Sequence, residues 1–220
     1  MNRREFLATT SAMALVMTGL PQSTAADEPV SGGTLIWGHS ETTQNLDMHQ
    51  TGTASTGRLL QNVHESIISV DKDFNIIPNL AESFEESDDG LTYTFRLRDD
   101  VMFHNDAKMT SADVKYSFER VMNPDTGAVN FEVFNAVEII ETPDDLTVVV
   151  TLSQVNAPFL SRLAENGAGV VIPDGSGDTQ GETPIGAGPF KFIRREFGNE
   201  VELERFDGYF GGPAYLDKVI

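Results

Sequence analysis

Four histidines are the residues of this chain best suited to binding a metal ion: His39, His49, His64 and His104. No two of them have the three- or four-residue spacing that would place two ligands on one face of a helix. His39 and His49 do share one polar loop. The spacing therefore favours separate polar residues over a metal site, and no metal or other cofactor is expected.

A second candidate for metal binding is a run of carboxylates that resembles an EF-hand calcium loop. Asp71, Asp73 and Asn75 are followed by Glu82, eleven residues after Asp71. The match fails at the sixth position, where the sharp turn requires glycine and the chain has Ile76. Apolar residues alternate on both sides, which predicts strands instead of flanking helices. A β-hairpin turn is therefore preferred to a calcium site.

No motif in the sequence predicts catalysis. The segment Gly175-Ser176-Gly177 lacks the G-x-S-x-G frame of a nucleophile elbow. Gly186-x-Gly188 lacks the third glycine of a dinucleotide-binding loop. The chain contains no cysteine, which excludes disulfides and thiolate chemistry. A non-enzymatic protein with no catalytic residues is expected, and a secreted hydrolase that uses two carboxylates is the alternative.

Residues 1–26 have the pattern of an export signal. Arg3 and Arg4 precede an apolar stretch over 6–20, and small residues follow before the chain becomes acidic at Asp27. The stretch is too short to span a bilayer comfortably. An arginine pair one residue before Phe-Leu predicts a twin-arginine signal, with an ordinary secretory signal as the alternative. A soluble, periplasmic protein without a lipid anchor is expected, because no cysteine is present to carry a lipid.

The remaining sequence predicts mixed strands and helices. A net charge of −19 makes nucleic acid and anionic membrane surfaces poor partners. The clearest strand covers 91–97, and the clearest helix begins after Thr110, with Asp113 completing a capping box. Other strands are predicted at 32–38, 67–70, 137–140, 146–152, 170–172, 191–193 and 201–205, with helical spacing over 58–70 and at 158–163. The fold class is therefore α+β.

Six motifs occur in a recognisable order along the chain. They are NLAESFE at 79–85, SDDGLTYTFRLR at 87–98, VMFH at 101–104, TSADVKYSF at 110–118, GAGPF at 186–190 and DGYFGGP at 207–213. Together they resemble the solute-binding proteins of peptide-type ABC importers, the dipeptide, oligopeptide and nickel-binding family, family 5. The resemblance covers residues 32–220.

The resemblance implies a two-lobed, periplasmic-binding-protein-like architecture with a ligand enclosed between the lobes. Residues 27–52 and 166–220 are expected in the first lobe and residues 53–165 in a subdomain. Members of the family are more than twice as long, so the second lobe is expected to follow residue 220. The chain is thus expected to be an N-terminal portion that lacks that lobe.

The implied function is capture of a peptide or similar small solute for an ABC permease in the inner membrane, by a protein that is monomeric at full length. A ligand-sensing protein for a membrane receptor is a further alternative. Strand ends commonly face the cleft in such proteins, so the predicted ligand-binding residues follow the first strand. They are His39, Ser40, Glu41 and Thr42, with Glu41 suited to a ligand ammonium group.

Overall fold

The computed structural model describes residues 29–38, 42–165 and 167–220. Residues Ser31–Ile220 form one structural unit, and the predicted export signal lies outside the described residues. The strands are β1 Thr34–Leu35, β2 Ile68–Val70, β3 Ile76–Pro78, β4 Ala81–Glu86, β5 Thr92–Leu97, β6 Val137–Asp144, β7 Thr147–Leu152, β8 Phe190–Glu196, β9 Glu200–Arg205 and β10 Lys218–Val219. The helices are α1 Ala54–Leu60, α2 Ser111–Met122 and α3 Phe159–Ala164, with 3₁₀ turns at Pro124–Thr126, Phe131–Phe134 and Gly177–Thr179.

The strands form two four-stranded sheets and one hairpin. One sheet has the order β1-β10-β9-β8, in which β1 and β10 are parallel and the other pairs are antiparallel. The second sheet has the antiparallel order β4-β5-β7-β6, and β2 pairs with β3 alone. Helices are interspersed irregularly among the strands. The α+β class predicted from the sequence is confirmed.

The second sheet and α2 show why the sequence pattern predicted them well. In β5, Tyr93, Phe95 and Leu97 are buried and alternate with polar residues, as expected for a strand with one face on the core. At the start of α2, the Asp113 carboxylate accepts the backbone N–H of Thr110 at 2.7 Å and completes the predicted capping box. The apolar face of α2 packs in the core that contains these strand residues.

The buried apolar residues separate into two clusters. The larger cluster lies between the β4-β5-β7-β6 sheet and the helices α2 and α3, and includes Phe95, Phe118 and Phe159. The smaller cluster joins the chain around residues 46–63 to the first sheet and includes Leu46 and Leu203. Each sheet therefore has its own core. Leu46 and Met48 belong to the smaller one.

Several predicted elements differ from the structure. Residues 170–172 are buried but form no strand, because only Val170 makes a β-bridge, to Ser66. The helix predicted by the spacing over 58–70 ends at Leu60, and the first strand is reduced to two residues. Strand β4 was not predicted, since its residues do not alternate cleanly. None of the helices within the described part of the chain is long and apolar enough to cross a membrane.

Candidate functional site

A cavity of about 390 Å³ lies at the end of β1. Trp37, the single tryptophan of the chain, forms part of its wall. The backbone N–H of Trp37 donates to the carbonyl of Ile220 at 2.8 Å, which joins the end of β1 to the residue after β10. The turn between β8 and β9 supplies another wall, and the loop after β1 supplies a third. Polar lining residues include Thr42, Thr43, Arg195, Asn199 and Glu200.

Of the four predicted ligand-binding residues, the structure describes Thr42. Its side chain is exposed, and the residue lines the cavity. His39, Ser40 and Glu41 lie outside the described residues. The loop after β1 thus reaches the cavity at Thr42, while a role in ligand binding stays a prediction for all four.

Arg195 connects the cavity to the backbone of this loop. Its Nη1 donates to the carbonyl of Gln44 at 2.9 Å, and its Nη2 donates to the Glu182 carboxylate at 2.7 Å. Its side chain is 10% exposed, and its guanidinium lies 5.9 Å from the centre of the Phe197 ring. Because these partners hold the guanidinium in place, Arg195 forms a fixed part of the cavity wall.

The loop over 42–51 has further contacts at its centre. The backbone N–H of Leu46 donates to the carbonyl of Gly181 at 3.1 Å, and Leu46 is fully buried. The Gln50 amide donates to the carbonyl of Thr126 at 2.7 Å and accepts from the Asn45 amide at 2.7 Å. The loop is therefore held to two other segments of the chain, although it belongs to no sheet or helix.

A buried ion pair joins the same loop to α2. The Arg120 guanidinium donates through Nη2 to Asp47 Oδ2 at 2.5 Å and through Nη1 to Asp47 Oδ1 at 3.2 Å. The side chains are 11% and 4% exposed, respectively. Two parallel hydrogen bonds fix both the distance between the Asp47 carboxylate and the Arg120 guanidinium and their relative orientation.

His49 completes this cluster in its neutral form. Arg120 Nη1 donates to His49 Nδ1 at 2.9 Å, so that nitrogen must be the acceptor. The other nitrogen, Nε2, then carries the proton and donates to the carbonyl of Val170 at 3.1 Å. Burial lowers the pKa of His49 to about 4, against the opposing effects of the Val170 bond and Asp47. The imidazole is uncharged at neutral pH.

The glycine-rich segment over 174–181 packs against Arg120. The carbonyl of Gly177 accepts from Arg120 Nη2 at 3.1 Å, and its N–H donates to the Tyr116 hydroxyl at 3.0 Å. A Cβ atom at Gly177 would lie 2.4 Å from Arg120 Nε and 2.6 Å from the Tyr116 hydroxyl. A larger residue here would therefore displace the Arg120 or Tyr116 side chain from its present position. The segment closes the cluster over the guanidinium and does not form a nucleophile elbow.

Two of the sequence motifs meet around a partly buried carboxylate. Glu65 accepts from the Tyr209 hydroxyl at 2.7 Å and from the Asn79 amide at 2.8 Å. Burial raises the pKa of Glu65, while both hydrogen bonds act in the opposite direction. Next to Tyr209, the Phe210 ring lies 5.0 Å from the Arg98 guanidinium carbon. The motifs at 79–85 and 207–213 thus form one contact region.

The motif GAGPF at 186–190 crosses the turn that follows α1 at very close range. A Cβ atom at Gly186 would lie 2.1 Å from the carbonyl oxygen of Val63. The N–H of Gly188 donates to the same carbonyl at 2.9 Å. On the other side, His104 Nε2 lies 2.9 Å from the carbonyl of Gly188. These glycines serve a close approach of two backbones, not a phosphate-binding loop.

His64 is buried beside this crossing. Its Nδ1 would lie 2.6 Å from a Cβ at Gly186, and neither ring nitrogen has a hydrogen-bond partner among the residues described. Burial lowers its pKa to about 3. Burial likewise lowers the pKa of His104 to about 4. Both histidines are neutral at pH 7, His64 in the interior and His104 at a partly buried position.

The other predicted polar motifs have local structural roles. Asp71 Oδ1 accepts the backbone N–H groups of Asp73 and Asn75 at 2.8 and 2.9 Å, which closes the β2–β3 hairpin. The preference for a hairpin turn over an EF-hand is confirmed. Over the ranges that the structure describes, no three His, Cys, Asp or Glu side chains are grouped to hold a metal ion.

Arg120 was missed as a residue connected to the loop, although α2 contains a signal for it. Asp113, Ser117 and Arg120 are spaced by four and three residues, so they lie on one face of the helix. Asp113 and Ser117 are buried. A polar stripe beside an apolar stripe predicts buried hydrogen bonding to another segment. The sequence alone does not identify Asp47 as the partner, 73 positions away.

A comparison with protein-family models tests the family membership that the motifs suggest. The model for bacterial extracellular solute-binding proteins, family 5 Middle, matches residues 75–220. The chain belongs to this family. The resemblance stated from the motifs is therefore confirmed, and the family consists of binding proteins.

Individual relatives agree with the family 5 assignment. The glutathione-binding protein GsiB of Pectobacterium atrosepticum is 29% identical over 209 residues, which cover 93% of this chain and 41% of the relative. The PBP AgaA of A. tumefaciens R10, solved with agropinic acid, has a TM-score of 0.80 and 35% identity, over 85% of this chain and 39% of that one. DppA of Helicobacter pylori, solved with peptide STSA, has a TM-score of 0.78 and 27% identity, and the match covers 87% of this chain and 42% of DppA.

The fold of family 5 is thus present over about two-fifths of the length of these relatives. The predicted architecture, a periplasmic-binding-protein-like fold of mixed sheets and helices represented in part, agrees with these neighbours. The comparisons do not favour either alternative drawn from the sequence, the hydrolase or the ligand-sensing protein.

Proposed function

We propose that this chain is part of the solute-binding component of an ABC importer. In this role the protein captures a peptide or similar small solute outside the cytoplasm and delivers it to permease subunits in the inner membrane. The observation that carries the proposal is the cavity beside Thr42 and Trp37, at the end of β1 in a chain with the family 5 fold. The proposed protein is a binding protein and not an enzyme.

The proposed solute class comes from the relatives and from the cavity. GsiB is named for glutathione, and DppA was solved with peptide STSA; both compounds are short peptides. The cavity contains an aromatic side chain, Trp37, and both positive and negative groups, including Arg195 and Glu200. This combination suits a solute with an apolar part and both charges. Glu41 is proposed to bind its ammonium group.

The proposed organisation places 27–52 and 166–220 in the first lobe and 53–165 in a subdomain. The two separate four-stranded sheets support it, since one is built from strands of 27–52 and 166–220 and the other from strands of 53–165. The solute is proposed to bind between lobes of the complete protein, which acts as a monomer. We further propose a periplasmic location, reached through a twin-arginine signal at 1–26, without a lipid anchor because the chain has no cysteine.

Calorimetric titration of the complete gene product with a solute panel tests this function. The panel contains di- to tetrapeptides, glutathione and Ni²⁺, with mass spectrometry of the solute after each titration. Saturable one-to-one binding of an unchanged peptide is expected. Glu41→Ala is expected to weaken that binding, whereas Glu138→Ala, an exposed residue of β6, leaves it unchanged. Turnover of a solute, or no binding across the panel, would contradict the proposal.

A further inference from the structure

The cavity and the buried Asp47–Arg120–His49 cluster are connected by one short loop. Thr42 and Thr43 line the cavity, and Asp47 follows four residues after Thr43. The loop has no sheet or helix hydrogen-bonding pattern of its own. Its position therefore depends on contacts with other segments, which include the backbone bond from Leu46 to Gly181 and side-chain bonds from two arginines.

Two arginines supply side-chain contacts at two different points of the loop. Arg195 binds the carbonyl of Gln44, close to the cavity. Arg120 binds both carboxylate oxygens of Asp47, together with Nδ1 of His49, farther along the loop. Arg195 lines the cavity, whereas Arg120 is not among the residues that line it. Arg120 can therefore affect the cavity only indirectly, through the segments that it contacts, and this loop is one of them.

The chemistry of the cluster requires arginine. One planar guanidinium donates to four acceptor atoms: two on Asp47, one on His49 and the carbonyl oxygen of Gly177. A lysine ammonium is a point charge with three donors and lacks this fork. Removing the guanidinium would also leave the buried Asp47 carboxylate without its partner, which is strongly unfavourable.

We propose that Arg120 is a positioning residue for solute binding, which holds the loop over 42–51 and thereby sets the shape of the cavity wall at Thr42 and Thr43. The proposal rests on the proposed function for its consequence on affinity. Its structural part, the fixing of the loop by α2, is independent of any ligand. When a loop forms the wall of a binding site, the positions of its residues are only as well defined as the contacts that support the loop.

Hydrogen exchange on the unliganded complete gene product tests the structural part. Backbone amides within 42–51 are expected to exchange at least about tenfold faster in Arg120→Gln than in the wild type, because a buried ion pair is broken. Arg120→Lys is expected to be intermediate. Lys115→Gln, on the exposed side of the same helix, is the control and is expected to match the wild type.

A second control separates positioning from general stability. Val150→Ala removes fully buried apolar volume from β7 and lowers stability without contacting the loop. At a temperature well below both unfolding transitions, it is expected to leave exchange within 42–51 and solute affinity unchanged. Arg120→Gln is expected to weaken affinity by about 3- to 30-fold at that temperature.

The outcomes distinguish this inference from the proposed function. Exchange within 42–51 that is no faster in Arg120→Gln than in Val150→Ala would overturn the positioning role. Faster exchange with unchanged affinity would show that the loop does not set the binding wall, and would also overturn it. If the wild type binds no solute, the proposed function fails, and the exchange result alone decides whether Arg120 fixes the loop.

Discussion

The hydroxyl of Tyr209 donates to Oε1 of Glu65 at 2.7 Å across 144 positions of the sequence. Burial and the nearby Glu65 charge raise the pKa of Tyr209 well above its usual value, so the phenol keeps its proton and remains a donor. Asn79 donates to the other oxygen of the same carboxylate. Two motifs that identify the family are therefore joined through a residue outside both of them.

Tyr209→Phe is expected to lower the free energy of unfolding by about 1–2 kcal/mol, because it removes one of two hydrogen bonds to a partly buried carboxylate. Urea unfolding at pH 7.5 measures the change. Tyr215→Phe, at a position 58% exposed, is the control and is expected to change stability little. Equal effects at the two tyrosines would contradict the role assigned to the Glu65 contact.

Glycine substitutions are expected to have opposite effects at two positions. Gly186→Ala places Cβ 2.1 Å from the backbone oxygen of Val63, so the two backbones must move apart and stability falls by about 1–3 kcal/mol. Gly57→Ala lies within α1, where no described atom is within 4 Å of the added Cβ. It is expected to be neutral or to stabilise by about 0.5–1 kcal/mol. Thermal unfolding of both variants measures this, and a tolerated Gly186→Ala would be inconsistent with the close crossing.

The pH dependence of stability is expected to reflect the neutral buried histidines. The pKa of His64 is about 3 in the folded protein and about 6.5 in the unfolded chain. Between these values the unfolded chain binds more protons, so stability falls as the pH decreases from 6.5 towards 3. His49 and His104, each with a pKa of about 4, act in the same direction.

His64→Leu isolates one of these contributions. Protonation linked to His64 is expected to lower the free energy of unfolding of the wild type by about 2 kcal/mol between pH 7.5 and pH 5. The leucine variant lacks this contribution. Urea unfolding at both pH values should therefore show the leucine variant gaining stability relative to the wild type on acidification. An identical loss in the two proteins would show that His64 is not held neutral by burial.

The elements predicted best from the sequence are those defined by local pattern. The alternation around Phe95 and the capping residues of α2 gave correct elements because burial on one face and capping act over a few residues. The segment 170–172 was wrong as a strand. A short apolar run indicates that a segment is buried, but it does not show whether that segment pairs with a neighbouring strand.

The candidate site was only partly accessible to sequence reasoning. The loop after β1 was identified from the strand end, and Thr42 lines the cavity there. The contacts of Arg120 and Arg195 were not identified, because each binds a loop residue more than 70 positions away. Spacing within one element does not indicate which distant segment will pack against it.

Export is expected to depend on the arginine pair itself and not only on its charge. In the twin-arginine route, replacing both Arg3 and Arg4 with lysine should block translocation, whereas a general secretory signal needs only positive charge. Cell fractionation and immunoblotting of the double-lysine variant measure the outcome, with unaltered signal as the reference. Normal periplasmic accumulation of that variant would reject the twin-arginine route.

The most direct measurement is the fluorescence of Trp37 during titration with a peptide that binds by calorimetry. Trp37 is the only tryptophan within the chain and lines the cavity. Subtracting the signal of the Trp37→Phe variant separates the emission of Trp37 from that of any other fluorophore in the complete protein. We expect a saturable change in Trp37 emission whose midpoint matches the calorimetric affinity. Tight binding without any change in Trp37 emission would contradict the assignment of the cavity as the solute site.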